Sequence, residues 1–150
     1  IDARGQGEVW LTQAWSGDVF QKNVSDGTDF KFVIPEEGGT IWTDNMTIPV
    51  TAKNPVDALE LMDFFYDVEI SASLAAYINY VCPVPAAQAQ MRKDAAKLTG
   101  DDRSGLEAIA DSKLVFPSQA EYDKLSYYVS FENYSEQQEF QRIFEPVVLG

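Results

Sequence analysis

The sequence predicts an α/β protein with few strands and five or six helices. Three observations carry this. Short β-favouring apolar runs are confined to the first third of the chain, apolar residues recur at helical spacing from residue 54 onward, and glycine- or proline-marked breaks separate them. With 45% hydrophobic residues over 150 positions, the chain is long enough for one substantial core rather than two.

The run from Glu8 to Trp15, between Gly5-Gln6-Gly7 and Ser16-Gly17-Asp18, suits a buried strand that ends at a helix N-cap, with Trp10 in the core. Trp15 then stands at the carboxyl end of that strand. In open α/β sheets the ligand crevice lies outside such ends. Asn23 to Thr28 reads as a polar loop turning at Ser25-Asp26-Gly27, and Phe30-Lys31-Phe32-Val33-Ile34 as the next strand.

Gly38-Gly39 precedes a third β-favouring run that carries Trp42 and Asp44. Side chains alternate along a strand, so these two share a face, about 7 Å apart at the backbone. An indole face beside a carboxylate suits an organic ammonium: the ring quadrupole attracts the cation and the carboxylate accepts its N–H donors. The structural alternative is a core Trp and an Asp that is solvated or capping a turn.

Asn54 and Pro55 read as the N-cap and first position of a helix bearing Val56, Leu59, Met62 and Phe65-Tyr66, with Asp57, Glu60 and Asp63 on a solvated face. A second helix carries Ile70, Leu74, Tyr77 and Ile78, with Tyr77 placed towards the core by its spacing. Two prolines make Asn79 to Pro85 a loop. Ala86 to Leu98 is rich in helix formers, and Thr99 to Gly105 reads as a mobile polar break. Ser118 to Glu121 is a capping-box pattern opening a short helix through Tyr122 and Leu125. A second such pattern, Ser135 to Gln138, opens a last amphipathic helix with Phe140, Ile143, Phe144, Val147 and Val148 on one stripe.

Composition narrows the function. There are 24 acidic and 11 basic residues, a formal charge of −13, which argues against binding nucleic acid through phosphate neutralisation and favours cationic partners. Histidine is absent, which removes the usual general base and metal ligand. The single cysteine, Cys82, excludes an intrachain disulfide and reads as a buried thiol. A pair such as Asp18 and Asp44 could serve glycoside hydrolysis, but nothing in the sequence sets their separation, and no catalysis is assigned.

Val33-Ile34-Pro35-Glu36-Glu37-Gly38 leads into Trp42 and Asp44, and Ile48-Pro49-Val50-Thr51-Ala52-Lys53-Asn54 leads out. This stretch resembles the polyamine-binding proteins that serve bacterial ABC importers of spermidine and putrescine, in which V-I-P-x-E-G-x-x-x-W-x-D-x-x-x-I-P-x-x-A-K-N enters a helix. The resemblance covers most of the chain but only the C-terminal portion of a family member. It implies the C-terminal part of a two-lobed periplasmic-binding-protein fold of type II. Residues 1–30 would give a strand and helix of the second lobe plus a crossover, and residues 31–150 mostly the first lobe and the C-terminal helices.

The same resemblance implies the site. Gly7-Glu8-Val9 followed by Trp15-Ser16-Gly17 looks like the family's G-E-V-x-x-x-x-x-W-x-G, which places its aromatic in the ligand cleft. Tyr80 stands where the family's G-Y-x-x-P tyrosine reaches the bound amine, with Asn79 in place of the glycine and a loop one residue longer; Tyr77, one helical turn earlier, is the rival for that place, though its spacing favours the core. Glu132 lies near a polar ligand contact just before the last helix. The ligand-binding set is therefore Trp15, Trp42, Asp44, Tyr80 and Glu132, with no cofactor and no metal.

The implied protein is an exported, non-catalytic component of an ABC importer, in the periplasm or on the outer face of the membrane. Its partners would be a polyamine and the permease subunits. Another small solute, or a sugar stacked on an aromatic-rich binding module, are the alternatives. The first strand lacks a preceding βαβ unit to pair with, so the chain is expected to be incomplete, and alone it should dimerise or exchange strands.

Overall fold

The structure, a computed structural model, describes residues 10–149. Among these the order is α1 (Ser16–Asp26), β1 (Gly39–Ile41), α2 (Pro55–Phe64), α3 (Val68–Ile78), α4 (Ala86–Ala95), α5 (Gly100–Asp111), α6 (Gln119–Tyr122), β2 (Leu125–Tyr127) and α7 (Tyr134–Leu149). The α/β class holds, with helix dominant. No described helix is long and apolar enough to cross a membrane.

The core lies where α3, α4 and α5 meet. Ala72 and Ala75 of α3, Ala87 and Met91 of α4 and Ala110 of α5 are buried together, and the connecting segments add Cys82 and Val115. Alanines let the helix backbones approach closely, and the unbranched Met91 fills the space between them. Polar ties cross the same region: the Cys82 amide donates to the Val115 carbonyl at 2.9 Å, and Gln88 Nε2 to the Ala110 carbonyl at 2.8 Å. Burial raises the pKa of the Cys82 thiol, so it is the inert buried cysteine the sequence suggested. At the start of α3, Asp67 accepts from the amides of Glu69 and Ile70, satisfying two donors that the helix cannot.

The sheet is a parallel pair, with Gly39 opposite Leu125, Thr40 opposite Ser126 and Ile41 opposite Tyr127. It joins the first third of the chain to the last through a crossover that contains α2 to α6. The glycine before β1 is required by geometry. Gly38 has φ +100°, and a Cβ there would lie 2.6 Å from the Lys124 carbonyl oxygen, the atom that accepts from the Gly39 amide at 3.0 Å.

Several expectations are corrected. Glu8 and Val9 lie outside the described residues, and Trp10 to Trp15 form no strand. Trp10 is 96% exposed and not in the core, because no described segment pairs with this run and buries it. Phe30 to Ile34 alternates half-buried and exposed like a strand, yet forms no ladder with another described segment. Asn23 instead brackets Phe30, accepting from its amide at 2.8 Å and donating to its carbonyl at 2.9 Å. The third strand ends at Ile41, so Trp42 and Asp44 sit beyond it and share no strand face.

The helices also differ in extent. α1 runs on to Asp26, absorbing part of the expected loop, while Leu125 leaves the short helix for β2. Tyr77 is 84% exposed, since the buried stripe of α3 runs through Ser71, Ala72 and Ala75. The polar break at Thr99 to Gly105 is the start of α5. Asp101 and Asp102 sit in its first turn, where the helix dipole favours anions, Arg103 pairs with Glu107 at 2.8 Å, and Ala110 buries the far end.

Candidate functional site

Trp15 is the N-cap residue of α1, with extended backbone (φ −81°, ψ 143°). Its carbonyl accepts from the amide of Val19, whose side chain is buried. Trp42 follows β1 directly, so pairing with β2 sets where it emerges. The two indoles meet edge to face, with ring centroids 3.9 Å apart and planes at 66°. Trp15 stays 41% exposed and Trp42 39%, so the pair is neither core nor freely solvated. Such a half-open aromatic corner can offer its electron-rich faces to a cation or an apolar chain.

Asp44 is exposed two residues past Trp42. Asn45 Nδ2 reaches back over it to the Thr43 carbonyl at 3.0 Å and the Thr43 hydroxyl at 3.2 Å, which ties down the backbone that carries the carboxylate. Asp44 is thus anchored through its backbone while its side chain remains on the surface.

Tyr80 comes to α1 from the opposite direction. α3 ends at Asn79, which has φ +57° and takes the left-handed conformation that glycine otherwise supplies, its side chain donating to the Ala76 carbonyl at 2.8 Å. Asn79 can therefore stand in place of the glycine. The Tyr80 ring then lies against Gly17, where an added Cβ would sit 2.5 Å from Tyr80 Cδ2. Its hydroxyl donates to Asp18 Oδ1. Burial, reinforced by the Asp18 carboxylate, pushes the phenol pKa up to about 12. One turn further along α1, Gln21 Nε2 donates to the Ile78 carbonyl at 2.7 Å, closing the joint.

Trp15, Trp42 and Tyr80 are thereby gathered around the first turn of α1, with Asp44 on the segment that follows Trp42. Glu132 is elsewhere. It borders a shallow dish at the start of α7 with Phe131, Asn133, Glu136 and Phe140. Its amide donates to Glu136 at 2.6 Å, while Asn133 Oδ1 accepts from the Glu136 amide at 3.0 Å. The capping of α7 thus centres on Asn133 and Glu136 rather than Ser135, and no hydrogen bond, ion pair or ring contact joins Glu132 to the aromatic group.

Gly17 and Asp18 are the residues sequence reasoning did not place beside Tyr80. The signal available was only Ser16-Gly17-Asp18 at a helix start, and Asp18 and Tyr80 lie 62 positions apart in the chain.

Residues 1–103 match the family described as bacterial extracellular solute-binding protein. The chain is similar to the spermidine/putrescine-binding periplasmic protein of Salmonella typhimurium, at 35% identity over 91 residues, 61% of this chain and 26% of that protein. It is similar to the putrescine-binding periplasmic protein PotF of Escherichia coli at 24% over 103 residues, 63% of this chain and 28% of the relative. It is also similar to the putrescine/agmatine-binding protein of Pseudomonas aeruginosa at 27% over 79 residues, 49% and 22% of the two chains. The chain spans about a quarter of the length of these curated relatives. No solved structure matches it. Trp15, Trp42, Asp44 and Tyr80 fall within the matched family region, and Glu132 falls outside it.

Proposed function

This chain belongs to the bacterial extracellular solute-binding proteins, and on that footing we propose that the protein delivers a polyamine such as spermidine or putrescine to an ABC importer. It acts outside the cytoplasm, in the periplasm or on the outer face of the membrane, and performs no chemistry on its cargo. The names of its relatives support the ligand class, since each binds spermidine, putrescine or agmatine.

The observation that carries the reading is the half-open corner of Trp15 and Trp42, followed by Asp44. A polyamine alternates methylene runs with ammonium groups. Indole faces suit both, and a carboxylate supplies the acceptor that an ammonium needs. The formal charge of −13 adds a field that draws cations towards the surface.

The ligand lies between two lobes that close on it, and the permease subunits recognise the closed form. Glu132, on the segment before α7, is proposed as a further polar contact.

Native mass spectrometry of the full-length protein, purified without added amine, tests the reading. The expected result is a retained mass equal to a polyamine that is displaced by excess spermidine or putrescine. A retained neutral sugar, or calorimetric binding of an oligosaccharide and of neither amine, contradicts it.

A further inference from the structure

We propose that Asp18 is a positioning residue that commits Tyr80 to accept, never donate, a hydrogen bond in the ligand site, so that the tyrosine selects protonated amines. The inference rests on Tyr80 belonging to the ligand site proposed above. It deepens that reading by naming the group that sets the polarity of the tyrosine.

Three features fix Tyr80. Asn79 sets the chain direction with its left-handed backbone, Gly17 gives the ring a surface without a Cβ, and Asp18 takes the phenol proton in a hydrogen bond. The Gln21 bond to the Ile78 carbonyl keeps α1 and the end of α3 from separating. A free phenol can donate or accept, and so would welcome a ligand hydroxyl, carboxylate or ammonium alike. Once its single proton points at Asp18, only the oxygen lone pairs remain for a guest. A hydrogen bond to an ionised acceptor is the stronger kind, and it also raises electron density on the phenol oxygen. The result is an acceptor suited to an N–H donor that carries charge, with its orientation fixed before the ligand arrives.

The placement of Asp18 supports this role. It sits in the first turn of α1, close in sequence to Gly17, so one helix start supplies both the surface for the ring and the acceptor for the hydroxyl. Among the described residues its recorded side-chain partner is the Tyr80 hydroxyl.

A double-mutant cycle on the full-length protein tests the proposal, with spermidine affinity read by calorimetry and folding checked by thermal unfolding. Asp18→Ala is expected to weaken binding about five- to tenfold, the loss of one oriented hydrogen bond. In a Tyr80→Phe background the same change is expected to add less than about twofold, because Asp18 acts only through the phenol. Asp18→Asn retains a carbonyl acceptor for the phenol proton and should recover most of the affinity, which a loss of bulk structure would not allow.

The Tyr80 phenol, followed by NMR in ring-labelled protein, is expected to titrate well above a free phenol in the wild type and lower in Asp18→Ala. Equal weakening by Asp18→Ala with and without the phenol overturns the proposal, because Asp18 then touches the cation itself. No weakening at all also overturns it. A wild type that binds no amine sinks the functional assignment, and the phenol titration alone then decides whether Asp18 holds the proton.

Discussion

Tyr80 shows what a single residue gains from its neighbours. Its phenol pKa stands at about 12 in the folded chain against 10.0 for the free group. The fold therefore favours the protonated form, and its contribution to stability is complete below pH 10. Between about pH 10 and 12 the unfolded chain loses the proton first, so stability falls as pH rises through that window. Tyr80→Phe has no proton to lose, and the alkaline limb of denaturant-measured stability should be shallower in that variant. Identical limbs in the two proteins would show that neither burial nor Asp18 holds the phenol in its protonated form. At this scale the sequence was partly legible. Trp15, Trp42 and Tyr80 could be singled out, and three of the expected site aromatics do converge on one helix turn. Gly17 and Asp18 could not be placed, because nothing local marks a partner 62 positions away. Trp10 and Tyr77 misled because apolar character and spacing say which face a residue occupies, not whether another element covers it.

Helices proved easier to read than strands, for a physical reason. A helix satisfies its backbone within its own residues, so Asn54-Pro55 and the apolar repeat of α3 suffice to mark one. A strand needs a partner. Phe30 to Ile34 keeps the alternation of a strand but forms no ladder among the described residues, whereas Gly39–Ile41 becomes β1 because Leu125–Tyr127 arrives beside it from the far end of the chain. The start of α5 was misread for a related reason, since a polar run with two acids looks like a loop until Ala110 is seen buried at its other end. The α3–α4–α5 packing holds the buried cluster among the described residues, and Met91, 1% exposed, is its largest buried side chain. Met91→Ala in the full-length protein should lower stability by roughly 2 to 5 kcal/mol, through lost burial plus the cavity left behind. A change under about 1 kcal/mol in urea unfolding would mean that these helices are not held by that residue.

For the molecule as a whole, the core of small residues supports a corner built from distant segments: α1, the end of β1 and the loop after α3. The family match covers those segments and stops before α7, and the chain spans about a quarter of its relatives' length, so this corner is one wall of a larger site in the functional reading. In the function proposed above, the acidic surface draws cations in, the indoles hold the chain and an ammonium, and the carboxylate fixes one end. That last step is the central claim, and calorimetry of spermidine binding to the full-length protein with Asp44→Asn and Trp42→Ala tests it most directly. The account predicts that each substitution weakens binding tenfold or more, about 1.4 kcal/mol or above, with folding unchanged. Wild-type affinity in Asp44→Asn would contradict it.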